Sequence, residues 1–181
     1  MSVASSAGGR GRGRCSHSPG LAAKVVSVSL FGDRKRARRR VAFHEAGHAA
    51  ARNVLGGPLQ NVSINQHGGG LTRVKRSRWF GPDLMSPRSG YLRTVIAGPL
   101  VESRYSRMTL ERAIREAGSG PGSDAARIAE LLRGDSLDTW ARKTRWLLLT
   151  HGRDIEDLAE ALFEYGSVTG AEARRILDGK R

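Results

Sequence analysis

The chain has 181 residues, 31 of them Lys or Arg and 17 Asp or Glu, for a net charge of +14. That length suffices for one ordinary domain with its own core. Its single cysteine, Cys15, excludes an internal disulfide. No run reaches the roughly 18 apolar residues of a membrane-crossing helix, and the start of the chain lacks the apolar stretch of a secretory signal. These features predict a cytoplasmic protein with no membrane span.

The charge is unevenly spread. Residues 1–40 hold ten of the basic residues and one of the acids, most densely in Arg34-Lys35-Arg36-Ala37-Arg38-Arg39-Arg40. Such a run either contacts nucleic acid or acidic partners or is simply a solvated face, and no aromatic interleaving supports base stacking. Residues 1–20 are Gly/Ser/Arg-rich and too poor in apolar side chains to offset the entropy of ordering. Residues 1–32 are therefore expected to be a disordered basic segment, and 33–181 the folded domain. Within the former, Val25-Val26-Ser27-Val28-Ser29-Leu30 is β-prone and reads as a short strand or an irregular approach.

Asp33 is placed to cap a helix that runs to about Leu55, where Gly56-Gly57-Pro58 stops it. This helix carries His44-Glu45-Ala46-Gly47-His48. The two histidines stand one turn apart on one face, about 6 Å along the axis, so both imidazoles can meet one ion. Glu45 follows the first by about 100°, beside the ion, where a carboxylate can act as base toward water. An H-E-x-x-H pattern arises by chance in a chain of this length roughly once in a hundred or less. Gly47 disfavours helix by about 1 kcal/mol relative to alanine, which implies close packing against the backbone there.

Leu59 to Asn65 alternates apolar and polar residues as a half-buried strand does, and Leu71 to Arg76 reads as its partner. An edge strand beside the histidine helix either pairs with an extended peptide or is an edge kept soluble by Arg and Lys. Arg78 to Pro87, with Trp79 and Phe80, reads as loop. A helix is expected from Ser89 to about Tyr105, kinked or broken at Pro99, and a short one from Thr109 to Ala117. After Gly118-Ser119-Gly120-Pro121-Gly122, Ser123 or Asp124 opens another helix. Asp124 is either its cap or the third protein ligand that a catalytic zinc site requires, with Glu102 as the rival for that place. Ser136 can cap a helix whose Trp140 and Trp146 are expected in the core. Ile155 to Phe163 continues the helical period, and Thr169-Gly170-Ala171-Glu172 is a capping box for a final helix to Leu177. His17, His67 and His151 lack ligand-like spacing. The expected class is α+β, mainly helical with a small sheet.

In order and content these motifs resemble the peptidase domain of the FtsH family of zinc metalloproteases, over roughly residues 35–178. His44-Glu45-Ala46-Gly47-His48-Ala49 matches that family's HEAGHA; Ile96-Ala97-Gly98 with Glu102 is similar to its small-residue helix bearing acids. Ser123-Asp124 falls where the family has Asn-Asp, and Leu162-Phe163-Glu164-Tyr165, Thr169-Gly170 and Arg175-Ile176-Leu177 resemble its closing helices. The resemblance implies a zincin-like fold, Zn2+ held by His44, His48 and Asp124, and Glu45 as general base; on this reading Glu102 is expected to fix the ring of a ligand histidine. It further implies hydrolysis of protein or peptide substrates. Pro99 stands where the family usually has arginine and Ser103 where it usually has glutamate. These residues contain no G-x-x-x-x-G-K-[ST] phosphate loop, so the protein would cleave only what it can reach without a motor or would borrow a separate ATPase; members of that family assemble as rings, which leaves a homo-oligomer open. The competing expectation is a non-catalytic pseudo-peptidase module tethered by its basic arm to nucleic acid or acidic proteins.

Overall fold

One long helix, α1 (Gly20–Val54), carries the H-E-x-x-H and forms the axis on which most of the other elements pack. The computed structural model describes residues 20–65, 69–73, 87–118 and 120–180. After α1 come the strands β1 (Asn61–Ile64) and β2 (Gly70–Arg73), then α2 (Pro87–Ser106), α3 (Leu110–Glu116), α4 (Asp124–Leu132), α5 (Leu137–Leu147) and α6 (Gly152–Tyr165). A third strand, β3 (Ser167–Thr169), leads directly into α7 (Gly170–Leu177). The class is α+β, as expected. Of the segment 1–32 expected to be disordered, residues 1–19 lie outside the described residues and residues 20–32 belong to α1; the loop with Trp79 and Phe80 and the end of the second strand beyond Arg73 also lie outside the described residues.

The start of α1 corrects the sequence reading. Residues 21–30 are helical rather than strand-like, and Asp33 is an interior helical residue paired with Arg36 at 3.6 Å rather than a cap. β-propensity depends on a sheet to pack against, whereas extending an existing helix adds a hydrogen bond for each residue fixed. The basic cluster is likewise partly built into the fold. Arg39 pairs with Glu160, Arg40 with Glu102 and Glu116, and Lys35, Arg38 and Arg39 lie over the Phe163 ring at 6.0, 5.5 and 5.4 Å. At the other end α1 stops as expected, with Gly56 at φ 74°.

The sheet is antiparallel in the order β2-β1-β3, with Ser63 opposite both Leu71 and Ser167. β3 went unrecognised because Val168 is its one buried side chain, too little for a period-2 pattern. Val62 and Ile64 point from β1 into a core shared with Ala42, Ala46, Ala49 and Ala50 of α1 and with Leu158 and Leu162 of α6. A second cluster joins Leu92, Ile96 and Leu100 of α2 to Ile128 of α4 and Ala141 of α5. Pro99 does not break α2: the helix runs through it without interruption, with the ring buried. Trp140 packs against the second cluster, but Trp146 is 79% exposed and is not a core residue. The alternation of residues on α5 puts it on the solvent side, away from Ala141 and Thr144.

The small residues of α1 let α2 approach closely. A Cβ on Gly47 would lie 2.6 Å from the Ala97 carbonyl oxygen and 3.0 Å from Val101 Cβ. Neither the α2 backbone nor a β-branched side chain can yield easily, so Gly47→Ala is expected to destabilise by about 1 to 3 kcal/mol through overpacking. Alanine's helix preference returns roughly 1 kcal/mol against this cost, which leaves a net loss of up to about 2 kcal/mol. Urea denaturation checks it, and a variant as stable as wild type would contradict the close approach.

Candidate metal centre

Three side chains converge on one point. His44 and His48 come from successive turns of α1, and Asp124 is the first residue of α4. Ser123 is the cap of α4, its Oγ accepting from the Ala126 N–H at 3.3 Å, which leaves the Asp124 carboxylate uncommitted to capping. Asp124 Oδ2 lies 2.9 Å from Nε2 of each histidine, and the two Nε2 atoms are 3.0 Å apart. The rings meet nearly at right angles, 81°, with centroids 4.7 Å apart.

The outer nitrogens determine what the inner ones can do. His48 Nδ1 lies 2.8 Å from the Thr94 carbonyl oxygen, which can only accept, so Nδ1 carries the proton. His44 Nδ1 donates likewise to Glu102 Oε2 at 2.8 Å. Both Nε2 atoms of the neutral rings are then acceptors, and with Asp124 Oδ2 three lone pairs point at one another. Such an arrangement requires a cation or added protons. Its edges of 2.9 to 3.0 Å are slightly shorter than the roughly 3.3 Å edge of a tetrahedral zinc site. The donor set fits a divalent metal, and these three residues could hold one.

Glu102 stands behind the His44 ring, on its Nδ1 side, so Asp124 and not Glu102 completes the triad. Glu102 is 5% exposed, and its second oxygen accepts from Arg40 Nε at 3.0 Å and Nη2 at 2.6 Å. Arg40 also reaches Glu116, near the start of the segment that delivers Asp124. Sequence reasoning assigned Arg40 only to a charge run. Thr94 was missed because it acts through its carbonyl, which no side-chain pattern reveals.

Glycines make the room. A Cβ on Gly98 would strike the His48 imidazole and sit 2.9 Å from His44 Nε2. Glu45, 6% exposed, turns toward β2, where Thr72 Oγ1 donates to its Oε2 at 2.7 Å and a Cβ on Gly70 would lie 2.7 Å from its Cδ. The triad and Glu45 open into a cleft of about 820 Å³, which Leu71, Tyr91, Ser123 and Arg127 also line. That volume is in the range of ordinary ligand sites. His151 lies apart at the start of α6, 3.4 Å from Asp154; His17 and His67 lie outside the described residues.

Protons and a metal compete for the triad. Burial disfavours the His44 imidazolium, but hydrogen bonds to Asp124 and Glu102 and the nearby Glu45 charge outweigh it and push the pKa from 6.5 up to about 9. Burial also opposes the Asp124 carboxylate, yet both histidines hold it well below the usual range. A raised pKa means that the His44 contribution to metal-free stability is complete below about pH 6.5 and is lost as pH rises through about 9. The Asp124 contribution is lost only in acid, below its ordinary range. Chelator-treated protein should therefore lose urea resistance between pH 7 and pH 9.5, roughly the span of the raised pKa, and added zinc should flatten that loss. A metal-free midpoint that does not move over this interval would count against the geometry.

No helix among the described residues is long and apolar enough to cross a membrane. No curated protein matches the chain. The sequence model of the Peptidase M50B-like family matches residues 38–103, a little over a third of the chain. The match takes in both histidines, Glu45, β1, β2 and Glu102, and ends before Asp124. The match supports a metallopeptidase, a hydrolase whose substrates are proteins, and does not single out the FtsH type.

Proposed function

We propose that the chain is a zinc-dependent metalloendopeptidase of the FtsH type, with His44, His48 and Asp124 as metal ligands and Glu45 as general base. The observation that carries this reading is the convergence of three acceptor atoms from α1 and α4, with a glutamate held beside them in an open cleft. Zinc bound there would supply Lewis acidity toward a scissile carbonyl and make water a better nucleophile near neutral pH. Glu45 takes the proton from the attacking water and passes it to the departing amine. Glu102 holds the His44 proton on Nδ1, and the Thr94 carbonyl does the same for His48, so both rings keep Nε2 free for the ion.

The strand beside the base supports a polypeptide substrate. Asn65 N–H donates to the Gly69 carbonyl at 2.7 Å, which turns the main-chain groups of Gly69, Leu71 and Arg73 toward β1. Those of Gly70 and Thr72 face away from β1, and among the described residues β2 is an edge strand. An extended substrate segment would pair there and cross in front of Glu45. Such a substrate is unfolded or loosely folded, or is delivered by a separate ATPase.

Purified protein should carry about one zinc per chain and cleave unfolded casein in a chelator-sensitive manner. Glu45→Gln should keep the zinc and lose at least about a hundredfold in kcat, whereas Asp124→Ala should lose the zinc itself. Zinc-loaded protein without chelator-sensitive cleavage, or Glu45→Gln as active as wild type, would remove the hydrolase reading.

A further inference from the structure

Among the described residues of the edge strand, Thr72 hydrogen-bonds the base through its side chain. Its hydroxyl has a single proton and two acceptors within reach on Glu45: Oε2 at 2.7 Å and the backbone carbonyl at 3.3 Å. The shorter contact takes the proton, so Oε2 is held by the Thr72 hydroxyl, while Oε1 lies over Gly70 in the space its missing Cβ leaves. Gly70, two residues earlier and on the same strand face, leaves the space that the carboxylate fills. The face of β2 formed by residues 70 and 72 is thus shaped around Glu45, absent at one position and hydrogen-bonding at the other.

We propose that Thr72 is a positioning residue for Glu45, holding the carboxylate in the orientation from which it accepts a proton from water. The same residue turns its main-chain N–H and C=O to the free strand edge, so the base and a substrate paired on that edge share one mount. This rests on the peptidase reading above and adds to it a residue that acts through the base rather than through the metal. No charge is gained or lost at Thr72, so its replacement isolates the hydrogen bond from long-range electrostatics.

The competing role for a threonine in a strand is β-propensity alone, and two substitutions separate them. Thr72→Val keeps shape and branching but removes the donor; Thr72→Ser keeps the donor and removes the methyl group. Expected for Thr72→Val is a roughly tenfold loss in kcat, part of the general-base contribution, with KM within about twofold and zinc content unchanged. Thr72→Ser should remain within about threefold of wild-type kcat. Thr72→Val with wild-type kcat, a loss confined to KM, or equal losses in both variants would overturn the proposal. If Thr72→Val folds poorly, Thr72→Ala removes the same donor and is read against Thr72→Ser in the same way.

A crystal structure of the Thr72→Val protein gives a readout that needs no turnover. The Glu45 carboxylate should leave its position beside residue 72 or divide between rotamers. A carboxylate that stays in place overturns the inference even if wild type cleaves its substrates. Loss of the peptidase reading with a displaced carboxylate would leave the positioning intact and remove only the reaction it serves.

Discussion

The structure depends on three acceptor atoms brought within 3.0 Å of each other. With neither a cation nor an added proton they would repel, and the fold drives them together by fixing each from behind. A carbonyl holds one imidazole, a carboxylate holds the other, and the turn into α4 directs the aspartate. The resulting demand for positive charge is built by packing and hydrogen bonding, and it is what would let these three residues take a metal ion.

The packing that achieves this is unusually reliant on small side chains. The buried face of α1 is largely alanine, and Gly47 and Gly98 lie where α1 and α2 would otherwise collide with each other or with the imidazoles. Small residues bring the backbones close, and close backbones put the Thr94 carbonyl within hydrogen-bond reach of His48. On the opposite side Gly70 performs the same service for Glu45. Larger apolar residues are concentrated in the two clusters that flank the site, where Leu158 and Leu162 on one side and Leu92 and Ile96 on the other hold the helices in place.

Much of this was legible in the sequence, for identifiable reasons. The H-E-x-x-H spacing is a local property of one helix, so it could be read without tertiary information, and the helix-starting Ser123-Asp124 pointed to a carboxylate arriving from elsewhere. Gly47 signalled close packing because a glycine inside a helix needs a reason. What escaped notice depends on contacts between distant segments or on the backbone. Residue types alone left Glu102 and Asp124 as rivals for the third ligand; the family resemblance favoured Asp124, and the two sides of the His44 ring show why. Arg40 was one arginine among many, and Thr94 contributes a carbonyl that every residue has. The β-prone patch at residues 25–30 is helical because β-propensity counts only where a sheet exists to receive it.

Asp124 is separated from His48 by 76 positions along the chain, and among the major packing partners of α4 are α2 and α3 but not α1. An ion held by the triad would therefore act as a removable cross-link, closing a long loop between two parts of the chain that otherwise meet little. Metal loading and the order of the cleft wall become one equilibrium. Departure of the ion would release α4 and its glycine-rich approach before the helical core gives way, making that wall the first cooperative unit to open in hydrogen exchange.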